Sequence, residues 1–421
     1  MLVPNFSQPF VKTLEVPADK SVSHRALIFS AIADNSVRIS NFLRAEDCLS
    51  TLNCLKALGV EINLAEDVFV HGVGLRGLKK SAAPLNAGNS GTTLRLMSGL
   101  LAAQNFDSTF IGDASLSKRP MSRIILPLEK MGATFSAREN NFLPIKIFGA
   151  NLRGINYEMP VASAQVKSAI LLAGLYAENP TTVIEPAPSR DHTEKMLAAM
   201  GARIEKIGNA ITIFPAEKLF APEKISVAGD ISSAAFWIVL ATILDGSEIT
   251  IKNVGVNRTR TGILDVLLKM GAKIFLENER LECGEPVADI KIFSAKLRGI
   301  ETGGEIIPRM IDEIPILAVA AGFAEGTTII RDVGELRVKE SDRLKAIVEE
   351  FNKLSPATFE AQDDILIIHG GGVKKFASCK TYGDHRIAMS LSIMGMATEG
   401  VDLDDGACVK ISYPNFFDML K

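Results

Sequence analysis

The sequence predicts an α/β fold assembled from six βαβαββ units of about 70 residues each. Two interleaved series of helical segments, and the short β-type stretches between them, carry that prediction. The first series is "CLKALGVEI" (54–62), "PLEKMGATF" (127–135), "MLAAMGARI" (196–204) and "VLLKMGAKI" (266–274). Each reads as a helix end, a glycine and the start of a strand. Gly59, Gly132, Gly201 and Gly271 stand 73, 69 and 70 residues apart. A glycine after an apolar helical run fits a left-handed C′ cap. A fifth, degraded copy is "IVEEFNKLSPATF" (347–359), which has lost its glycine.

The second series consists of six apolar helices that open on small polar or charged residues. They are "KSVSHRALIFSAIA" (20–33), "NSGTTLRLMSGLLA" (89–102), "SAQVKSAILLAGL" (163–175), "DISSAAFWIVLATIL" (230–244), "DEIPILAVAAGFA" (312–324) and "DHRIAMSLSIMGMA" (384–397). Their starts repeat with the same period, and six such units account for the chain. Segments such as "LPIKIFG" and "ITIFP" supply the strands between. Because these helices are apolar on nearly every face, they belong inside a domain rather than on its surface.

Composition narrows the function classes. The chain has 421 residues, 47% hydrophobic and 23% charged, with a net charge of −3. This is the profile of a globular enzyme, and it argues against a generic nucleic-acid or membrane-surface binder. The longest apolar runs fall short of the roughly 20 residues that a membrane span needs. The N-terminus "MLVPNFSQPF" lacks targeting character, so a cytoplasmic protein is expected. Five scattered cysteines and five scattered histidines give neither CxxC nor metal-ligand spacing, so no metal site and no disulfide framework are expected.

Polarity gathers at the helix starts. Ser, Asn and Asp there are ordinary caps, and Asn89 is expected to cap the second helix. Caps do not account for Lys20, Arg25, Arg95, Gln165, Lys167, His385 and Arg386 in the same places. A helix N-terminus carries about half a positive charge and free N–H groups, which favours anions. The first-series helices are approached by "RPMSRI" (119–124), "SRDHTEKM" (189–196), "NRTRTGIL" (257–264) and "RVKESDRL" (337–344). Basic residues there oppose the helix dipole, which suggests that a ligand holds them. The stretch "LNAGNSGTTLRL" (85–96) looks like a phosphate cradle, but the GxxxxGK[ST] pattern of a nucleotide-binding loop is absent from the chain. Small, multiply anionic ligands are therefore expected.

"PADKSVSHRA", "LNAGNSGTTLRL", "SKRPM", "SAQVKSAILLAGL", "RVKESDRL" and "YGDHRIAM" together resemble the signature segments of the 5-enolpyruvylshikimate-3-phosphate synthase family, in order from about residue 17 to about residue 417. The resemblance implies a two-domain inside-out α/β barrel with three units per domain. One domain would comprise residues 1–17 plus 230–421, with both termini. The other would be the inserted segment 18–229, and the interdomain cleft would hold the active site. The implied reaction moves the enolpyruvyl group of phosphoenolpyruvate to the 5-hydroxyl of 3-phosphoshikimate and releases phosphate. Neither a metal nor any other cofactor is implied. The expected partners are the two small substrates alone, with no nucleic acid and no membrane, and the chain is expected to be a monomer.

Carried onto this sequence, the resemblance implies that 3-phosphoshikimate is held by Lys20, Ser21, Arg25, Ser163, Ala164, Gln165, Ser189, Arg190, Asp312, Glu335 and Lys339. Phosphoenolpyruvate would meet Lys20, Asn89, Gly91, Arg119, Gln165, Arg343 and Arg386, where a planar guanidinium can bind carboxylate or phosphate in a fork. Asp312 resembles the family's proton acceptor, and dense cations favour an ionised carboxylate there. The resemblance makes Glu340 and Lys20 the candidates for proton delivery and removal at the methylene carbon. Plainer readings stand beside these: Asp312 as a helix cap, Glu340 as an i,i+3 partner of Arg343, and His385 as a structural histidine.

Three positions depart from the family pattern. Ala164 offers only backbone where some members carry serine, Glu335 stands where others have asparagine, and the family's late lysine aligns with Ile411, one position from Lys410. The related enolpyruvyl transferase acting on UDP-N-acetylglucosamine relies on a loop cysteine, and residues 113–125 contain none. A non-catalytic anion-binding relative is the other alternative. It would keep the arginines without needing Asp312, Glu340 and Lys20 together.

Overall fold

The computed structural model describes residues 1–6, 8–372 and 374–420. The chain folds as two compact units. One comprises Ala18–Ala228 with Leu281–Glu285, and the other Met1–Pro17, Gly229–Arg280 and Pro286–Lys421. Each has its own hydrophobic core.

In the first unit the helices are α1 (Lys20–Ala31), α2 (Glu46–Ala57), α3 (Gly91–Ala102), α4 (Ser122–Lys130), α5 (Ala164–Gly174) and α6 (His192–Ala199). The second holds α7 (Ile231–Ile243), α8 (Gly262–Lys269), α9 (Ile314–Gly322), α10 (Arg343–Ala346), α11 (Asn352–Leu354), α12 (His385–Met396) and α13 (Phe416–Met419). The odd-numbered helices through α9, with α12, match the apolar second series apart from α9, whose first turn is a 3₁₀ segment, Ile311–Glu313. They are buried as their composition requires: every residue of α5 from Val166 onward is buried, and so is all of α7 except Ile243.

The sheet around α5 shows the unit plan. Asn156–Glu158 runs parallel to Thr181–Ile184, and α5 is the crossover between them. Ala210–Ile213 lies antiparallel to Thr181–Ile184, with Thr212 opposite Thr182, and Ile204–Ile207 closes the edge as a hairpin. Helix α6 precedes that hairpin, giving βαβαββ. Among the described residues five sheets have four strands in this arrangement, and a sixth has three. Two sheets take their first strand from elsewhere in the chain: Lys224–Ser226 pairs with Ser36–Ser40, and Val11–Glu15 pairs with Glu248–Gly255.

The repeating glycines sit in the left-handed region, with φ of 87° at Gly59, 106° at Gly132, 91° at Gly201 and 100° at Gly271. Each ends a helix two or three residues before a strand. In the degraded fifth copy Ala357 takes that role, with φ 57° two residues before Phe359–Gln362. A π-helical turn, Ile347–Phe351, separates α10 from α11. Among the described residues no helix is long and apolar enough to cross a membrane, and all five cysteines are free thiols.

Candidate active site

Three apolar helix starts meet in each unit, and the predicted site residues lie at or beside them. In the first unit, Asp19 caps α1, Ser90 caps α3 and Ser163 caps α5, each accepting from a backbone N–H of the first turn. Asn89 is therefore not the cap. Ser90, one residue later, has the extended backbone a cap needs, and Asn89 points elsewhere: its Nδ2 donates to Asp113 Oδ2 at 2.6 Å, and its Oδ1 accepts from Arg119 Nη2 at 2.8 Å.

Lys20, the first residue of α1, forms an ion pair with Asp47 in the first turn of α2. Burial raises the Asp47 carboxyl, yet the Lys20 ammonium and its hydrogen bond outweigh that and hold it below its ordinary value. Arg25 is buried, and each of its three nitrogens donates a hydrogen bond. Its Nε donates to Thr193 Oγ1 at 2.8 Å, Nη1 to the Ser21 carbonyl at 3.0 Å and Nη2 to Ser168 Oγ at 2.7 Å. Burial lowers its pKa to about 10.

Gln165 bridges α5 and α3. Its Oε1 accepts from Arg95 Nη1 at 2.6 Å, and its Nε2 donates to Thr92 Oγ1 at 2.9 Å. A guanidinium can only donate, so Arg95 fixes the amide oxygen on its side and leaves the NH₂ facing away. Burial, followed by repulsion from Arg119 and Arg123, lowers Arg95 to about 10. Three guanidinium groups crowded at one helix start suit an anion. Gly91 opens this face of α3, where a Cβ would stand 2.7 Å from Arg95 Nη1. Ser189 donates its hydroxyl to Glu185, which also pairs with the fully buried Lys167 at 2.8 Å. Arg190 follows on the same loop, close enough to Arg25 to lower its pKa, and Ala164 opens α5 beside Ser163.

In the second unit Asp230 caps α7 and Asp384 caps α12, whereas Glu313 heads α9 without a side-chain cap. Asp312, in the preceding 3₁₀ turn, is thus not a helix cap. Its Oδ1 lies 3.5 Å from Arg343 Nη1 and its Oδ2 3.9 Å from Arg386 Nη2, while its carbonyl accepts from Arg386 Nη1 at 3.1 Å. Arg343 is fully buried, with Nε 2.8 Å from Asp384 Oδ2 and Nη2 2.7 Å from Glu340 Oε2. Burial works to lower its pKa, but Glu340, Asp384 and Asp312 raise it further. Burial raises the Glu340 carboxyl, yet the Arg343 guanidinium outweighs that and holds it below its ordinary value. The i,i+3 contact is real, and it delivers an ionised carboxylate to the same cluster.

His385 is neutral, lowered by burial and then by Arg386 to about 4. Behind Arg386, buried Glu313 accepts from Ser232 Oγ and lies 3.6 Å from Arg386 Nη1. Burial raises its carboxyl. Glu335 and Lys339 stand at the two ends of the 3₁₀ turn Gly334–Val338, Glu335 exposed and Lys339 half-buried, and among the described residues no hydrogen bond joins either of them to the cluster. Lys410 and Ile411 end a separate 3₁₀ turn, Ala407–Ile411. Among the described residues no group of three or more His, Cys, Asp or Glu side chains could hold a metal ion.

The profile of the EPSP synthase family, 3-phosphoshikimate 1-carboxyvinyltransferase, matches residues 5–420. The 3-phosphoshikimate 1-carboxyvinyltransferase of Thermoanaerobacter sp. (strain X514) is 53% identical over 412 residues, which cover 97% of each chain. The chain belongs to the EPSP synthase family. The enzyme of the same name from Desulforamulus reducens is 52% identical, covering 97% of this chain and 96% of the relative. A solved EPSP synthase from Acinetobacter baumannii shares the fold with a TM-score of 0.92 at 44% identity, over 99% of this chain and 96% of that one. The enolpyruvyl transferase NikO of Streptomyces tendae has the same architecture, with a TM-score of 0.78 at 18% identity. The EPSP synthase fold is the two-domain inside-out α/β arrangement seen in the six sheets here.

Sequence reasoning missed the acids that face the bases: Asp47 against Lys20, Asp384 against Arg343, and Glu313 against Arg386. All three occupy helix starts, where an acid is so ordinary that it carries no separate signal.

Proposed function

We propose that this chain is a 3-phosphoshikimate 1-carboxyvinyltransferase. It moves the enolpyruvyl group of phosphoenolpyruvate to the 5-hydroxyl of 3-phosphoshikimate and releases phosphate, in the shikimate pathway to chorismate and the aromatic amino acids. The observation that carries the chemistry is Asp312, whose carboxylate faces the guanidinium groups of Arg343 and Arg386. An oxygen base beside cations is what proton removal from a hydroxyl requires when two polyanionic substrates share a site. The identity and coverage of the relatives support the substrate pair.

In this reading Asp312 accepts the 5-hydroxyl proton as that oxygen adds to the enol carbon. Lys20, an ammonium against Asp47, and Glu340, a carboxylate held ionised by Arg343, are the two groups that deliver a proton to the methylene carbon and remove one when phosphate leaves. The Arg119, Arg343 and Arg386 guanidiniums, the Gln165 amide and the Gly91 backbone, with Asn89 holding Arg119, receive phosphoenolpyruvate. Lys20, Ser21, Arg25, Ser163, Ala164, Gln165, Ser189, Arg190, Asp312, Glu335 and Lys339 receive 3-phosphoshikimate. The reading calls for no cofactor and takes the protein to act as a cytoplasmic monomer.

The test is release of phosphate from phosphoenolpyruvate. Release that depends on 3-phosphoshikimate is expected, with UDP-N-acetylglucosamine inert as the control acceptor. Release driven by the control acceptor alone, or none with either, overturns the reading.

A further inference from the structure

A buried chain of hydrogen bonds runs beneath the starts of α1, α2 and α3. His24 Nδ1 lies 2.7 Å from Thr51 Oγ1, and Thr51 Oγ1 lies 2.7 Å from Thr93 Oγ1. Thr93 Oγ1 donates to Ser90 Oγ at 2.7 Å and toward the Asp47 carbonyl at 3.3 Å. All four side chains are fully buried. Ser90 Oγ also accepts from the Thr93 amide as the cap of α3, one residue before Gly91.

Counting protons gives the chain a direction. A hydroxyl has one proton to donate. The Thr51–Thr93 contact allows either donor, but the Thr93 proton has a one-way acceptor in Ser90 Oγ at 2.7 Å, and with it placed there Thr93 accepts from Thr51. Thr51 then has none left for His24, so Nδ1 carries the ring proton and donates to Thr51. The ring is neutral, because burial lowers its pKa to about 3 against the pull of Asp47, with Lys20 and Arg25 lowering it further. Nε2 is left a buried acceptor that meets no donor. A core chosen for stability alone has no reason to keep such an atom, because an apolar side chain avoids the desolvation it incurs.

We propose that His24 is a positioning residue for the phosphoenolpyruvate side of the site: through Thr51 and Thr93 its Nδ1–H sets the Ser90 cap, and with it the backbone of Gly91. The inference rests on the reading of Gly91 as a phosphoenolpyruvate contact. Arg25, the neighbouring group read as a 3-phosphoshikimate contact, is anchored separately by Thr193, Ser168 and the Ser21 carbonyl. Loss of the chain therefore acts on one substrate and not on the other.

The experiment compares His24→Leu, Thr51→Val and His24→Asn with the wild-type full chain, each checked for folding by circular dichroism. Leucine at 24 and valine at 51 break the chain at its first link. Each is expected to raise the KM for phosphoenolpyruvate about tenfold, the equivalent of one hydrogen bond, with the KM for 3-phosphoshikimate within about twofold. Asparagine places an amide donor where Nδ1 stood and restores the phosphoenolpyruvate KM. Nitrogen NMR of histidine-labelled wild-type protein is expected to show the His24 proton on Nδ1. An Nε2-protonated ring, an unchanged phosphoenolpyruvate KM in Thr51→Val, or equal rises for both substrates overturns the proposal. Thr51→Val covers the case in which leucine at 24 fails to fold. The ring proton is read without turnover, so failure of this inference is distinguishable from failure of the functional reading, which the wild-type assay decides.

Discussion

Asp312 and Arg343 share a cluster but call for different tests. Asp312→Asn keeps the side-chain shape and removes only the charge facing Arg343 and Arg386. Loss of a general base typically costs 10²–10⁴-fold in rate. Turnover is therefore expected to fall at least about a hundredfold, while 3-phosphoshikimate binding, followed by calorimetry, changes little. Unchanged turnover rejects the base role. Arg343 is a poor probe of substrate binding, because it is fully buried against Asp384, Glu340 and Asp312. Removing it strands the buried Asp384 carboxylate at a cost of about 3–5 kcal/mol in stability. Arg119 is half-exposed and held by Asn89, so Arg119→Ala is the cleaner variant. It is expected to raise the phosphoenolpyruvate KM at least about tenfold, one charge-assisted contact's worth, and equal effects on both substrates count against the assignment.

At the scale of elements, the repeated helix ends offer an internal comparison. At Gly201 a Cβ would meet nothing within 4 Å, so Gly201→Ala probes backbone conformation alone. It is expected to lose about 1 kcal/mol, the cost of left-handed backbone for a residue with a Cβ. Ala357 bears that cost already at φ 57° on the surface, and Ala357→Gly is expected to gain up to about 1 kcal/mol in urea unfolding. No gain at 357 alongside a loss at 201 refutes the equivalence of the two positions. The recurring glycines made these helix ends legible in the sequence because a left-handed cap demands a particular residue. The π-helical turn Ile347–Phe351 left no such mark, since a shifted backbone hydrogen bond asks for no particular side chain. The cap at Ser90 was misread for a related reason: Asn89 and Ser90 are equally good caps by type, and only the backbone angles choose between them.

For the whole molecule, the six-unit plan was legible from its period, but the borrowed strands Val11–Glu15 and Lys224–Ser226 were not, because each pairs with a strand far away in sequence. The bases of the site were legible, as were Asp312 and Glu340, but Asp47, Asp384 and Glu313, which also face those bases, were not. That hidden balance makes stability depend on pH. His24 and His385 have folded pKa values of about 3 and about 4, against an ordinary 6.5. A lowered value means that the unfolded chain binds the proton first. Stability is thus greatest above pH 6.5 and falls as pH drops from there toward 4, by up to about 1.4 kcal/mol per pH unit for each histidine. Glu313, raised by burial, contributes in the opposite sense around its own titration, so the total slope is not the clean observable. His24→Asn isolates one proton among the same neighbours Asp47, Lys20 and Arg25. Amide hydrogen exchange in α1, with variant and wild type compared at matched pH, cancels the intrinsic exchange rates and reads the difference in opening free energy. Between pH 6 and 4.5 that difference is expected to shift in favour of the variant by about 1.4 kcal/mol per pH unit where α1 opens with its whole unit, and a difference independent of pH shows that His24 does not titrate on unfolding as its burial requires.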